Sequence, residues 1–171
     1  MSLPAVMQHT TRAPLTEPHQ ASTYLSERIS GPSIYNFAVC LKTSTPATSS
    51  PLIGILGSPS YPEIGYLFSP LYSGKGYATE ALLAFVPALF AIMPEEQKFA
   101  EALVDTQNVA SIKLLQRCGW KRWGGVQEGD YTSPLLGVRD SVCYRIAREG
   151  CDLEDMVVQG REGEGFVPDL Q

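Results

Sequence analysis

One stretch constrains the fold of this chain more than any other: residues 63–91, EIGYLFSPLYSGKGYATEALLAFVPALFA. Its first part, Glu63–Phe68, is short, apolar and aromatic, which is typical of a buried strand. Ser69-Pro70 ends that strand, because proline has no N–H for a strand ladder. From about Tyr77, apolar residues recur at helical spacing and indicate an amphipathic helix. The sequence therefore predicts a strand, a turn and a helix in immediate succession.

The turn of this stretch has the features of a phosphate site. Two glycines let the backbone bend sharply and approach a ligand, and the next helix begins with unpaired N–H groups and a positive dipole. The predicted phosphate-binding residues are Gly74, Lys75, Gly76, Tyr77 and Ala78. A purely structural glycine turn remains an equal alternative. The Walker pattern is absent because Gly76 follows Lys75, and the Rossmann pattern is absent because Thr79 stands where its last glycine belongs.

Composition indicates a globular protein of one domain. The chain has 171 residues, of which 44% are hydrophobic and 18% are charged. No apolar run approaches the roughly 20 residues that span a bilayer, and the start of the chain does not resemble a signal peptide. The four cysteines are widely separated, which argues against disulfide and zinc sites. We expect a cytoplasmic protein with no metal and no membrane partner.

The net charge of −5 lies at the C-terminal end. Residues 150–171 carry six acidic side chains and one arginine, so residues 1–149 are neutral. We therefore expect a domain over residues 1–149 and an acidic tail over residues 150–171. A neutral domain offers no basic surface for a nucleic acid, so no nucleic-acid partner is expected.

A second stretch, NVASIKLLQRCGW from Asn108 to Trp120, predicts a capped helix. Asn108 can accept a hydrogen bond from the first helical turn. The helix is expected from Val109 to Cys118, and Gly119 suits the left-handed residue that follows a helix.

Together these two stretches resemble the GCN5-related N-acetyltransferase (GNAT) family. GYLFSPLYSGKGYATEAL is similar to its acetyl-CoA-binding motif, Q/R-x-x-G-x-G/A, and NVASIKLLQRCGW to its N-x-x-[AS]-x-x-L-x-x-x-x-G-[FW] motif. The resemblance is greatest to the branch that acetylates the N-terminal alanine of ribosomal proteins. It implies the acyl-CoA N-acyltransferase fold, an α/β (α+β) fold with a mixed, mostly antiparallel central sheet flanked by helices.

The rest of the chain fits that strand order. We expect strands over Val6–Arg12, Tyr35–Lys42, Leu52–Leu56, Lys98–Val104, Trp120–Glu128 and Asp140–Ala147, a helix over Glu17–Ile29 capped by Thr16, and loops over Thr43–Pro51 and Gly129–Arg139. The last loop is expected to be mobile and to border a substrate site.

The resemblance also implies the site residues. Acetyl-CoA is the expected co-substrate, with its diphosphate on the glycine turn. Its pantetheine arm is expected along Tyr66, Leu67, Phe68 and Ser69, and Asn108 is a further candidate contact. Helix capping is the more probable role of Asn108 on residue type alone.

Acetyl transfer to an amine also needs a base and a group that stabilises the leaving thiolate. Glu63 is the first candidate for the base, and Glu128, Asp130 and water are alternatives. Most family members place a tyrosine at the position of Leu115. Ser111 fills the small-residue position of that motif, and the resemblance to the ribosomal-protein-alanine branch implies that a serine there assists the thiolate. The structural alternatives are that Glu63 is a solvated charge at a strand end and that Ser111 is an ordinary residue of the first helical turn.

The sequence thus predicts an acetyl-CoA-dependent N-acetyltransferase that acts on a primary amine, as a monomer or homodimer. A catalytically weak acyl-CoA-binding module is the alternative, because the family's tyrosine position holds Leu115. A nucleotide-phosphate binder unrelated to CoA is a third possibility, which the absent Walker and Rossmann patterns disfavour. The residues do not distinguish a protein N-terminus from a small-molecule amine as acceptor.

Overall fold

The computed structural model describes residues 1–29, 31, 34–42 and 50–154. The helices and strands within these residues are, in chain order, α1 (Pro4–Met7), α2 (Pro18–Ser26), β1 (Tyr35–Cys40), β2 (Leu52–Ser60), β3 (Glu63–Phe68), a 3-10 helix (Pro70–Tyr72), α3 (Tyr77–Ile92), β4 (Phe99–Asp105), α4 (Val109–Arg117), β5 (Lys121–Ser133) and β6 (Gly137–Ala147). None of the helices in this part of the chain is long and apolar enough to cross a bilayer.

The strands form one sheet in the order β1-β2-β3-β4-β6-β5. All neighbouring strands are antiparallel except β3 and β4, which are parallel. The predicted mixed, mostly antiparallel sheet with flanking helices is confirmed. The central strand, the helix that follows the glycine turn and the helix after Asn108 all begin where the sequence predicts.

The main core lies between the sheet and the helices α3 and α4, on what we call the helix face. Its buried apolar side chains include Leu56, Ile64, Leu82, Phe85, Leu89, Ala102, Leu115, Trp120 and Tyr144. Each fully buried side chain of leucine size contributes about 1.5–3 kcal/mol. Because side chains alternate along a strand, the intervening residues of β3 and β4 point to the opposite face. These residues are Glu63, Gly65 and Leu67 of β3, and Glu101, Leu103 and Asp105 of β4.

The N-terminal segment differs from its prediction. The Val6–Arg12 strand is wrong: Pro4 occupies the first position of the short helix α1, and the chain then turns. Instead of pairing with a strand, this segment is held by side chains. Met7 is 1% exposed, and the Ser133 hydroxyl donates a 2.6 Å hydrogen bond to the Gln8 carbonyl.

The predicted helix over Glu17–Ile29 is present but shorter, as α2, and its cap is different. Glu17 is the N-cap residue, and its side chain and that of Gln20 bond each other's backbone N–H groups in a capping box. Thr16 is therefore not the cap. Its own N–H instead donates to the Gln20 side chain at 2.8 Å.

The predicted mobile loop over Gly129–Arg139 is also wrong. β5 continues to Ser133 and β6 begins at Gly137, so only a tight turn separates the two strands. Tyr131 pairs with Arg139 across this hairpin. The hydrophobic alternation that marks a half-buried strand is absent here because the hairpin carries polar side chains into a hydrogen-bond network.

Two predictions concern residues that are partly outside the described chain. Most of the Thr43–Pro51 loop, residues 43–49, lies outside it, as do residues 155–171 of the acidic tail. Leu153, near the start of the predicted tail, is 3% exposed and packs with Trp123 and Cys143. The division between a domain over residues 1–149 and a tail stays a prediction, and Leu153 belongs to the packed part of the chain.

Candidate active site

A fork between β3 and β4 creates the central opening of the molecule. The two strands pair at Glu63 and Glu101, and this is the one register pair between them among the described residues. β3 continues antiparallel to β2 as far as Phe68, which pairs with Gly54. The edge of β3 that faces β4 is thus without a partner strand over its second half, where Tyr66, Leu67, Phe68 and Ser69 were predicted to hold an extended arm.

The glycine turn lies at the wide end of this fork. Gly74 and Gly76 have φ values of 73° and 83°, in the left-handed region that favours glycine. Gly76 is the N-cap residue of α3, and no side chain of the described residues caps this helix. The first amide bonded within the helix is that of Glu80, which donates to the Gly76 carbonyl at 3.0 Å. A Cβ atom at either glycine would meet no neighbour within 4 Å. The first amides of α3 therefore have no acceptor among the described residues, an arrangement that suits a diphosphate.

Lys75 and Tyr77 border the same turn through the ring of Tyr72. The Lys75 ammonium lies 5.5 Å from the centre of that ring, and the rings of Tyr72 and Tyr77 are 6.4 Å apart. The aromatic contact holds a positive charge beside the turn.

On the helix face, the hydroxyl groups of Ser111 in α4 and Tyr66 in β3 lie near each other. The Asn108 side chain accepts a 3.2 Å hydrogen bond from the Ser111 amide, so the predicted capping role of Asn108 is confirmed. Burial raises the pKa of the Tyr66 hydroxyl to about 12, whereas the nearby Ser111 hydroxyl acts to lower that pKa. The buried Tyr66 oxygen has no hydrogen-bond partner among the described residues. Leu115, at the family's tyrosine position, is fully buried in the core.

On the opposite face, Glu63 lies at the closed end of the fork. Burial raises the pKa of Glu63, the neighbouring carboxylate of Glu101 raises it further, and Arg28 lowers it. Arg145 donates to Glu101 at 3.0 and 2.9 Å and stacks on Phe99 at 4.2 Å. Glu101 is therefore paired with a cation, while Glu63 is the carboxyl whose environment favours proton uptake at a higher pH.

Asp105 is the centre of a network at the end of β4. Its side chain has no solvent exposure and accepts hydrogen bonds from Arg139 at 2.8 and 2.9 Å and from Tyr131 at 2.6 Å. The Gln107 amide donates at 2.7 Å, and His9 Nδ1 lies 3.1 Å away. Although burial alone would raise the pKa of Asp105, these hydrogen bonds outweigh it and hold the pKa well below the usual range. The network joins the N-terminal segment to the β5–β6 hairpin.

The alternative bases lie on the edge strand β5. Glu128 is exposed on the edge strand β5. Asp130 is also exposed, and it accepts a 2.6 Å hydrogen bond from the Ser141 hydroxyl. Within the described ranges, no group of three or more His, Cys, Asp or Glu side chains is arranged to hold a metal ion.

The family model of the acetyltransferase (GNAT) domain matches residues 1–121, well over half of the chain. The chain belongs to the GNAT acetyltransferase family. It is therefore an N-acetyltransferase with the acyl-CoA N-acyltransferase fold. A comparison with curated proteins found no match.

Solved GNAT structures share this fold. A GNAT acetyltransferase from Bacillus anthracis is 23% identical, with a TM-score of 0.68 over 85% of this chain and 83% of that chain. The spermidine N-acetyltransferase from Vibrio cholerae, in complex with CoA and spermine, is 15% identical with a TM-score of 0.65 over 85% and 84%. The ribosomal-protein-S5-alanine acetyltransferase from Vibrio fischeri is 16% identical with a TM-score of 0.50 over 59% and 57%. At these identities the likeness shows the fold alone.

The sequence alone did not indicate three charged residues of this region: Arg28, Glu101 and Asp105. Asp105 accepts from the Gln107 amide in the turn after β4, but its burial depends on the distant hairpin. Glu101 lies in a segment whose residues also suit a helix, so the sequence pattern did not indicate which face of a strand its side chain would occupy. An acidic residue inside a strand that is otherwise apolar was the one available signal.

Proposed function

We propose that this chain transfers the acetyl group of acetyl-CoA to a primary amine by direct attack of the amine on the thioester. The fork between β3 and β4 carries the proposal, because it opens between the glycine turn on one side and Glu63 on the other. The same opening thus gives access to backbone amides that can bind phosphate and to a carboxyl that can accept a proton. Holding the amine and the thioester together supplies a large part of such a rate enhancement.

The described residues fit acetyl-CoA. The unpaired amides of Tyr77 and Ala78 at the start of α3, next to the left-handed Gly76, would hold the diphosphate. The free edge of β3 from Tyr66 to Ser69 would pair with the amide groups of the pantetheine arm, as an added strand does. Asn108 is occupied by the helix cap, so a direct contact with the co-substrate is a secondary role.

Glu63 is proposed as the general base. An alkyl ammonium must lose a proton before it attacks, and a carboxylate with a raised pKa is better matched to that proton than an ordinary glutamate. Burial and Glu101 raise the pKa of Glu63. The face of β3 next to Glu63 leaves room for the amine, since nothing lies within 4 Å of a Cβ built on Gly65.

Ser111 is proposed to stabilise the leaving thiolate. Its hydroxyl sits in the first turn of α4, near the Tyr66 hydroxyl that lacks a partner. A hydrogen bond donated to sulfur would stabilise the negative charge that develops as the carbon–sulfur bond breaks. The nitrogen loses two protons in the reaction. Glu63 accepts the one that the ammonium loses before the attack, and the leaving thiolate takes the one that the amine loses after it.

Two classes of acceptor are candidates, a protein N-terminus and a small-molecule amine, and their support is unequal. The motif resemblance favours a protein N-terminus of the ribosomal-protein-alanine type, and the Vibrio fischeri structure supports that branch at the level of the fold. The Vibrio cholerae neighbour acts on spermidine, a small amine. The oligomeric state and the cytoplasmic location stay predictions.

Thiol release from acetyl-CoA, measured with a panel of amines, tests the proposed function. The panel contains peptides with N-terminal alanine, polyamines and simple alkylamines, and calorimetry compares the affinity for acetyl-CoA with that for ATP. We expect acetyl-CoA to bind more tightly than ATP and thiol release to depend on an amine. Tight acetyl-CoA binding without turnover would favour the binding-module alternative, which the buried Leu115 at the tyrosine position supports. Preference for ATP would contradict both.

A further inference from the structure

A cleft of about 220 Å³ lies on the face of the sheet opposite to α3 and α4. It is lined by Arg12, Glu27, Arg28, Ile34, Asn36 and Pro59. The N-terminal segment and the residues that follow α2 supply the charged side chains, and β1 and β2 supply the floor. The charged residues are distant in sequence from both GNAT motifs.

The cleft contains more positive charge than its own carboxylate neutralises. Arg12 pairs with Glu27 at 3.2 Å. The guanidinium groups of Arg28 and Arg12 lie over the same buried ring, that of Tyr24, at 4.4 and 5.4 Å from its centre. Arg28 Nε is buried, and no described residue accepts a hydrogen bond from it. A buried donor without an acceptor is costly, so this site favours an anion that could accept from it.

The backbone around Arg28 holds the cleft in shape. The Asn36 side chain donates to the Arg28 carbonyl at 3.0 Å. Asn36 pairs with Gly57, which pairs in turn with Gly65. A Cβ on Gly57 would overlap the Asn36 side-chain oxygen, so glycine is needed for Asn36 to reach across.

The same row of residues connects the cleft to the proposed reaction centre. Gly65 is two residues after Glu63 on the same face of β3, and the space above it is open. Arg28 is close enough to Glu63 to lower its pKa. A molecule that lies over Gly65 can therefore reach Glu63 with one end and Arg28 with the other.

We propose that the acetyl acceptor is a primary amine that also carries a carboxylate, with the carboxylate bound by Arg28 and Arg12 and the amine placed at Glu63. This inference rests on the proposed function. The planar guanidinium group matches a carboxylate with two parallel hydrogen bonds. The cleft also disfavours acceptors whose second group is a cation, because Arg28 would repel it.

Three matched series of acceptors test the inference: ω-amino acids, n-alkylamines of the same chain length, and α,ω-diamines of the same length. We expect the best ω-amino acid to exceed the matched alkylamine by at least about 10-fold in kcat/KM, and the diamine to be the poorest of the three. A tenfold preference corresponds to one well-formed charged contact. Equal or better activity of the alkylamine or the diamine at every length would overturn the inference.

Variants at Arg28 separate recognition from folding. Arg28 also lowers the pKa of Glu63, so Arg28→Gln should change the turnover of every amine; the loss in kcat/KM for the ω-amino acid should exceed that for the matched alkylamine by at least about 10-fold. Arg28→Lys, which keeps the charge without the planar fork, should fall between the parent and Arg28→Gln. Lys113→Gln removes one positive charge from the exposed side of α4 and should change neither series. An equal loss for all amines in Arg28→Gln would overturn the carboxylate site, because Arg28 would then act only through Glu63 or through the fold.

A binding measurement distinguishes failure of this inference from failure of the proposed function. Calorimetry with the N-acetylated ω-amino acid requires no turnover. Binding that disappears in Arg28→Gln supports the carboxylate site even if no amine releases thiol, which would contradict the acetyl transfer itself. Turnover of amines together with binding that is indifferent to Arg28 would overturn the carboxylate site and leave the proposed function intact.

Discussion

The two faces of the forked sheet are built in different ways. On the helix face, the glycine turn, α3 and α4 come from two continuous stretches, and Ser111 and Tyr66 lie against an apolar core. On the opposite face, Glu63 and Asp105 lie among charged side chains from the N-terminal segment, α2 and the last hairpin.

This difference separates two tasks. The helix face offers backbone amides and a free strand edge, which suit a co-substrate that all members of a family share. The opposite face offers side chains, whose identity sets which acceptor fits. We therefore expect substitutions at the glycine turn to change the affinity for acetyl-CoA, substitution of Ser111 to slow departure of the thiolate, and substitutions on the opposite face to change proton removal, acceptor choice or stability.

The largest expected effect is that of Glu63→Gln on the opposite face. Loss of a general base costs about 10²–10⁴-fold in rate, while acetyl-CoA binding and the fold persist. The parent should lose activity as the pH falls through the raised pKa of Glu63, because the protonated carboxyl cannot accept a proton. The variant should recover in part at high pH, where more of the amine is already neutral. The measurement is a pH profile of kcat/KM.

Ser111→Ala provides the comparison from the helix face. It should slow the reaction without recovery at high pH, because stabilisation of a thiolate does not depend on the proton of the amine. A small loss in Glu63→Gln would indicate a water or Glu128 as the base. Parent rates in both variants across the pH range would leave proximity alone to explain catalysis.

Asp105→Asn should give the largest loss of stability. It leaves Arg139 without its buried partner, which typically costs about 3–5 kcal/mol. The pKa of Asp105 is depressed in the folded protein, so its contribution is present above about pH 4, the unfolded value, and is lost as the pH falls further. Urea unfolding at several pH values should show a shallower acid dependence in the variant.

The double variant Asp105→Asn/Arg139→Gln is the control for this measurement. It removes both charges and should recover part of the lost free energy of unfolding. No difference in stability between Asp105→Asn and the parent would show that the network on the opposite face contributes nothing to the fold.

Shortening the chain tests the packing of Leu153 on the opposite face. A chain that ends after Glu154 keeps this buried residue, whereas one that ends after Gly150 loses its contacts with Trp123 and Cys143. By analogy with Leu→Ala changes, the shorter chain should lose about 2–5 kcal/mol. Both chains should bind acetyl-CoA like the parent while folded. If the chain that ends after Glu154 no longer bound acetyl-CoA, the residues beyond it would be needed for that binding.

Gly76→Asp should give the smallest of these effects, confined to the helix face. A side chain and a negative charge would stand where the diphosphate is proposed to bind, so acetyl-CoA affinity should fall by at least about 10-fold, or about 1.4 kcal/mol. Gly76→Asn has the same shape without the charge and tolerates a left-handed φ, so it separates repulsion from backbone strain. Unchanged binding by calorimetry in folded Gly76→Asp would end the assignment of this turn.

Local sequence predicted the elements whose signals lie within a few residues. Asn108 caps α4 and Gly119 has a φ of 84°, as their residue types indicate, because both features depend on their nearest neighbours. The Gly129–Arg139 region was misassigned for the converse reason. Its polar side chains are accommodated by Asp105, to which Tyr131 and Arg139 both donate from a segment more than twenty residues away.

The strand, glycine turn and helix around residues 63–91 and the second motif follow from local sequence, and they were enough to indicate the family. Only the tertiary structure decided that Glu63 adjoins Glu101 and Arg28, and that Asp105 is buried beneath the hairpin. Backbone amides are placed by local geometry, which a short motif fully specifies. The pKa of a carboxyl depends on burial and on charges from distant segments, and these come together only when the chain has folded.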